Sequence, residues 1–332
     1  MEDDQTWFCP FCGEPYDEND MEHLDQNERG YWCDSCDRFV FWNEKVEQQQ
    51  RSFHLVLEEK ASSNHQVANP KQYVFKKRLS PLRYPGGKSK VINNLYPYIH
   101  PDYTEVLVSP YCGGASLELA YVQAGLFRAA HLNDVDYGIY ALFSTIFEDP
   151  EPLINRIRFW SLSHEDFEEA RDVVKKEYDN VSRLDAAWFM LVCNRLAYSG
   201  IYYANPLGGK HGSLEKLLSR WNPKDLVQRI RTIHELRHLI TISNEDAFSF
   251  IEEEYWLPAA TLFLDPPYVG KGKTLYRHYY EKEEHEALAE LLDSLYHEFP
   301  NAHLLVTYDD VPFTHSLFTH AAKSNVERYF SI

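Results

Sequence analysis

Thr261-Leu262-Phe263-Leu264-Asp265-Pro266-Pro267-Tyr268 reads as a buried strand that stops abruptly. Four residues of high strand propensity run straight into a carboxylate, two prolines and an aromatic ring, and in an open α/β sheet that edge is where ligands bind. The prolines lack N–H groups and fix φ, so the carbonyls of Asp265 and Pro266 are left as acceptors on a stiff backbone. An acceptor-only carboxylate, a free carbonyl and a ring face together suit a planar amine that donates two hydrogen bonds and stacks. The exocyclic amino group of adenine has that form. Asp and Pro are also ordinary turn residues, so the rest of the chain has to decide.

Upstream, residues 105–109 (EVLVS) form a short apolar strand, followed by Pro110-Tyr111-Cys112-Gly113-Gly114-Ala115-Ser116 and a helix over about 117–123. Strand, glycine loop and helix let a nucleotide-like ligand approach backbone N–H groups at a helix N-terminus. The next strand, 129–132, ends in Asn133-Asp134, an acid suited to both hydroxyls of a ribose. Their order and spacing point to a nucleoside-containing cofactor. Tyr84-Pro-Gly-Gly-Lys88 precedes this unit, with Lys88 where a helix begins and glycines that permit close backbone approach, a weak signal for a phosphate or carboxylate. The sheet resumes at 238–243, before Asp246 and Phe248 open a helix to about 254. After the 261–268 stretch come a helix over 283–297, a fifth strand at 302–308 and the start of another at 326–332. This alternation is that of an α/β protein.

Residues 150–236 break the alternation and are helical in pattern. Within them Asn194, Arg195, Tyr198, Tyr202, Tyr203 and Lys210 combine hydrogen-bonding groups, charge and ring faces, as a nucleic-acid contact surface would. An insertion of this size also suits a lid or an oligomer contact.

The chain of 332 residues is 44% hydrophobic and 15% aromatic, enough for a sizeable core and more than one domain. No apolar run has the length of a membrane span and the N-terminus is acidic, so a cytoplasmic protein with neither span nor signal peptide is expected. The net charge of −18 argues at first against a nucleic-acid partner, but residues 1–60 hold 16 Asp/Glu against 5 Lys/Arg, which places 11 of the excess negative charges there. By contrast, residues 71–90 carry seven Lys/Arg and no acid. An acidic head on a body with basic strips is compatible with local binding of a phosphate backbone.

The same head holds Cys9-Pro-Phe-Cys12 and Cys33-Asp-Ser-Cys36. Two CxxC knuckles supply the four thiolates of a tetrahedral Zn²⁺ site, and with all four positions filled by protein such a site is structural. Iron in a rubredoxin-like site has the same ligand set. The acidity of the segment favours contact with a protein or autoregulation. The expected organisation is a zinc ribbon over 1–45, a linker over 46–78 with mixed helical character at 44–60, a catalytic domain over 79–149 and 237–332, and the helical insertion over 150–236.

Taken in order, Tyr84-Pro-Gly-Gly-Lys88, Pro110-Tyr-Cys-Gly-Gly-Ala-Ser116, Asn133-Asp134 and Asp265-Pro-Pro-Tyr268 resemble the Dam-type, D12 class adenine-N6 DNA methyltransferases. The likeness runs from about residue 79 to the end of the chain. It implies a Rossmann-like sheet binding S-adenosylmethionine, a helical target-recognition insertion and double-stranded DNA as substrate. Carried over by position, Tyr84, Lys88, Tyr111, Gly113 and Gly114 would meet the cofactor, Asp134 its ribose, and Asp246 and Phe248 its adenine. Asp265, Pro266, Pro267 and Tyr268 would hold the target base, and Asn194, Arg195, Tyr198 and Lys210 would contact DNA. Transfer to RNA or a protein amide, or binding without catalysis, are the alternatives. Three departures stand out: Ala115 replaces the family's last loop glycine, the N-terminal 78 residues are an addition, and the strand at 326–332 has no hairpin partner following it.

Overall fold

A computed structural model describes residues 73–76, 78–83, 87–99, 104–269, 277–298, 302–318 and 321–329, and the strands within residues 7–57. The strands are β1 (Trp7–Phe8), β2 (Pro15–Tyr16), β3 (Gly30–Cys33), β4 (Arg38–Phe41), β5 (Gln50–Leu57), β6 (Val106–Ser109), β7 (Ala129–Asn133), β8 (Ile240–Ser243), β9 (Ala260–Leu264), β10 (His303–Asp309) and β11 (Ala322–Tyr329). Seven of them form one sheet in the order β11-β5-β10-β9-β6-β7-β8.

From β10 to β8 the five strands run parallel. Parallel strands must be covered on both faces, which is why β9 carries no charged residue and has every residue buried. One face packs Phe250, Ile251, Leu288 and Leu292. The other packs the helices Tyr137–Glu148, Arg183–Leu196 and Pro223–Glu235 through residues such as Phe143, Leu191 and Ile230. The chain leaves β6 for β7 and β8 on one side, then returns to β9 on the other. Between β6 and β9 the winding therefore reverses, and the two loops that diverge there open a crevice at the carboxyl ends of the strands.

The interval between the helix Tyr137–Glu148 and β8 is helical, as its pattern predicts. Its helices begin on sequence-encoded caps: Ser163 makes a capping box with Asp166, and Ser182, Ser213 and Asn222 each accept an N–H from the first turn they precede. No helix among the described residues is long and apolar enough to cross a membrane.

The stretch expected to be linker contains a strand instead. β5 lies between β10 and β11 and runs antiparallel to both, with Leu55 opposite Thr307 on one side and Ser324 on the other. The family resemblance leads one to seek a hairpin partner for β11 after it in sequence. In this fold the strand paired with β11 comes from the other end of the chain. The flanks of β5, rich in Glu, Lys and Gln, carry helix propensity, but two ladders of backbone hydrogen bonds outweigh a preference of a few tenths of a kcal/mol per residue.

Tyr84, Cys9, Cys12 and Cys36 lie outside the described residues; Cys33 is the last residue of β3.

Candidate active site

A cavity of about 360 Å³ opens at the carboxyl edge of β6, β7 and β9, within the range typical of small-ligand sites. Its wall brings together Lys88, Tyr111, Gly113, Gly114, Asp134, Asp246, Asp265 and Pro267. Eight residues scattered over 180 positions thus share one space, because parallel strands deliver their loops to the same edge.

Lys88 opens a short 3-10 helix, Lys88–Lys90, and is almost wholly buried. A buried ammonium requires a counter-charge. Lys88 Nζ donates to Asp265 Oδ2 and, at 2.8 Å, to the Tyr268 hydroxyl, and it lies 5.2 Å from the Tyr268 ring centre. The other carboxylate oxygen, Asp265 Oδ1, accepts from Thr307 Oγ1 at 2.7 Å. Register explains Thr307: Val306 faces Leu264 across the parallel β9–β10 pair, so the next residue on β10 faces the carboxylate. Asp265 is therefore held from two sides in one orientation. Tyr268 is buried beside Lys88, and of the four residues 265–268 the cavity wall takes Asp265 and Pro267.

The glycine loop is bound to the end of β7. Asp134 Oδ2 accepts the Gly113 N–H at 2.8 Å while its Oδ1 accepts the Asp136 N–H at 2.9 Å. Asn133 joins three loops, donating to the carbonyls of Pro110 and Glu245 and accepting from Ser243 Oγ. Ala115 caps the following helix, Ser116–Gln123, in the left-handed region at φ 49°. Glycine adopts that region freely, whereas alanine pays about 1–2 kcal/mol, so the departure from the family pattern leaves backbone strain rather than a blocked loop. Asp246 caps the helix Ala247–Glu254 through the N–H groups of Phe248 and Ser249. Phe248 borders the cavity through Tyr280, whose ring centre is 6.0 Å away and whose hydroxyl is 3.0 Å from that of Tyr111.

Burial, with the nearby Asp136 charge second, pushes the Asp134 carboxyl up to about 7. Burial likewise pushes Glu118, another residue of the wall, up to about 7. In the unfolded chain both would ionise near 4. The folded state thus holds these protons more tightly, and the stability they contribute is fully present below about pH 4 and lost as pH rises through about 7. Thermal melts of the ligand-free protein should show this loss between about pH 4 and 7, and an Asp134→Asn variant should show a shallower one. An equal slope in the variant would contradict the assignment to Asp134.

The four residues expected to touch DNA divide. Asn194 is buried, with Oδ1 accepting the Arg83 N–H at 2.8 Å and Nδ2 donating to the carbonyls of Arg83 and Gly200. Arg195 is buried and donates to the Arg220 carbonyl. Both are corrected from surface contacts to internal braces, because a helix that packs on two sides turns its polar side chains toward unpaired backbone groups. Tyr198 and Lys210 are exposed on the loop that follows.

Glu118, Asp136, Arg277 and Tyr280 were not anticipated, yet all line the cavity. Arg277 lies within hydrogen-bonding or ion-pair reach of Asp136, Glu177 and the Val174 carbonyl, tying the end of the 265–277 segment to the insertion. Only Glu118 left a trace in sequence, as one acid in an apolar helix.

Comparison with known proteins agrees with this geometry. The family model described as D12 class N6 adenine-specific DNA methyltransferase matches residues 84–332. The type II methyltransferase M.FokI of Planomicrobium okeanokoites is 25% identical over 224 residues, 65% of this chain and 33% of that one. The chain thus spans about a third of the length of that relative. A match over most of the chain, on motifs that the fold gathers around one cavity, means that the chain belongs to the D12 class of N6 adenine-specific DNA methyltransferases.

Proposed function

We propose that this protein methylates the N6 amino group of adenine in double-stranded DNA, using S-adenosylmethionine. The observation that carries the reading is the junction of Asp265, braced by Lys88 and Thr307, with the Gly113–Asp134 loop in one cavity. The wall suits a cationic cofactor: Glu118, Asp134, Asp136, Asp246, Asp265 and Glu284 face it against Lys88 and Arg277. Asp134 would take the ribose, the Gly113–Gly114 backbone the methionine part, and Asp246 with Phe248 and Tyr280 the adenine. When bound, the cofactor supplies a sulfonium methyl whose transfer leaves a neutral thioether and a proton to be shed from nitrogen.

The residues of the chain prepare the amine. An adenine inside stacked DNA is out of reach, so the base is flipped into the site, against the wall formed by Asp265 and Pro267; stacking on Tyr268 would need its buried ring to turn toward the cavity. The Asp265 carboxylate and the Pro266 carbonyl accept the two N–H bonds, which withdraws the nitrogen lone pair from the ring and aims it. Lys88 and Thr307 keep Asp265 from rotating, so positioning and a fixed electrostatic field supply the rate. Asp265 need not be a strong base, because the methylated nitrogen is acidic while it bears positive charge. The exposed Tyr198 and Lys210 are on the loop proposed to meet the duplex.

The N-terminal segment is proposed as a zinc ribbon. In sequence, Cys9 and Cys12 fall between the paired strands β1 and β2, Cys33 ends β3, and Cys36 falls between β3 and β4. Two CxxC pairs, each next to a pair of strands, supply the ligand set of a four-thiolate site, which needs a reducing, intracellular setting.

One experiment tests these readings together. Purified full-length protein should carry about one zinc per chain, in keeping with a four-thiolate site, and transfer labelled methyl groups to adenine in duplex DNA. Transfer to RNA or protein in parallel reactions, with none to DNA, would overturn the substrate; absence of any transfer would overturn the activity.

A further inference from the structure

The helix Ser116–Gln123 is apolar where it meets the core, with Leu117, Leu119, Ala120, Tyr121 and Val122 all buried. Glu118 interrupts that run and is itself only 3% exposed. Its Oε1 accepts from the Ser109 hydroxyl at 2.7 Å, at the end of β6, and its carboxyl lines the cavity. A carboxyl in such a place costs several kcal/mol of lost hydration when ionised, unless a cation meets it. Lys88, whose charge acts on it, is already engaged with Asp265 and Tyr268. A cation bound in the cavity that Glu118 lines would supply the counter-charge that lets the carboxyl ionise.

We infer that Glu118 is a cofactor-binding residue that takes the α-ammonium of the methionine end of S-adenosylmethionine. The inference rests on the cofactor reading above and deepens it. Asp134 is bonded to Gly113 in the glycine loop, and Glu118 lies in the first turn of the helix that follows the loop, within the influence of the Lys88 charge; both carboxyls line the cavity. An elongated ligand with its ribose at Asp134 therefore has its other end at Glu118. The Ser109 hydroxyl turns the carboxylate toward the space rather than into the core. The groups whose charge bears on Glu118 are Lys88 and Asp265, and it in turn acts on Cys112 and Tyr121; Asp134 also acts on Cys112. Since burial holds the empty carboxyl near 7, arrival of an ammonium at pH 7 releases a proton.

Calorimetry on the full chain decides the matter with three ligands: S-adenosylmethionine, S-adenosylhomocysteine, which keeps the ammonium but lacks the sulfonium, and 5′-methylthioadenosine, which lacks both. Glu118→Gln should weaken the first two by about ten- to a hundredfold, the size of a hydrogen bond to a charged group, and leave the third within about twofold. Proton release on binding S-adenosylmethionine, read from buffers of different ionisation enthalpy, should fall in the variant. Unchanged affinity for S-adenosylmethionine overturns the inference. So does a loss confined to S-adenosylmethionine, which would place the sulfonium at Glu118, or an equal loss for all three ligands. If Glu118→Gln has no cooperative melt, Glu118→Asp takes its place: a selective loss for the two ammonium ligands supports the inference, and no selectivity overturns it. Failure of the wild-type protein to bind S-adenosylmethionine would instead strike the cofactor reading.

Discussion

Asp265→Ala should reduce methyl transfer to adenine-containing DNA by at least about a thousandfold, the upper range for loss of a preorganised group at a reacting centre. The size follows from what the carboxylate does. In the proposed reaction it fixes one N–H of the amine while the Pro266 carbonyl fixes the other, and without it the nitrogen lone pair would stay delocalised and unaimed. Cofactor binding should survive, because Asp134 and the glycine loop are held by β6 and β7, not by β9. Removing the carboxylate also leaves the Lys88 ammonium buried without its counter-charge, at a cost of about 3–5 kcal/mol in comparable sites. The melt of this variant must therefore be checked before its activity is interpreted. Asp265→Asn keeps an acceptor oxygen and the side-chain shape, so it should retain more activity than Asp265→Ala. Single-turnover rates with excess enzyme separate these cases, and near wild-type turnover of Asp265→Ala would remove the stretch 265–268 from the reaction.

A proline at position 55 should unfold the catalytic sheet. β5 is an interior strand, so its backbone N–H and C=O groups serve β10 on one side and β11 on the other. Leu55→Pro deletes a donor and imposes a φ that a strand with two neighbours cannot absorb, a change costing about 3 kcal/mol or more. Leu55 is opposite Thr307, and Thr307 holds Asp265, so activity should fall even where folded protein persists. The measurement is a chemical or thermal melt beside an activity assay. Leu55→Val, which keeps the backbone donor and suits a strand, should melt close to wild type. If Leu55→Pro melts like wild type, residues 50–57 do not pair as described, and the N-terminal segment is an appendage after all.

The part of the site that could be read from sequence is the part written locally. A strand that ends in Asp-Pro-Pro-Tyr, glycines between a strand and a helix, and an acid after the next strand each carry their chemistry in adjacent residues. Parallel topology then guaranteed that Gly113, Asp134 and Asp265 would meet, since all sit at carboxyl ends of strands or just beyond, whereas Lys88 reaches them from a short helix that precedes the parallel strands. Asn194 and Arg195 misled because side-chain type tells what bonds a residue can make, and burial tells with whom. Their donors and acceptors were taken by Arg83, Gly200 and Arg220.

By itself the sequence determined the α/β class, the helical stretch before β8, and the glycine loop, Asp134 and Asp265 as residues at the carboxyl edge of the sheet, because these depend on periodicity, caps and turn chemistry within a few positions. Only the tertiary structure decided that residues 50–57 form a strand between β10 and β11, that Thr307 and Lys88 orient Asp265 from opposite sides, and that Glu118 faces the cavity. The reason is one of range: backbone ladders and buried charge pairs join residues far apart in the chain, and their free energy exists only once the sheet has brought them within a few ångströms.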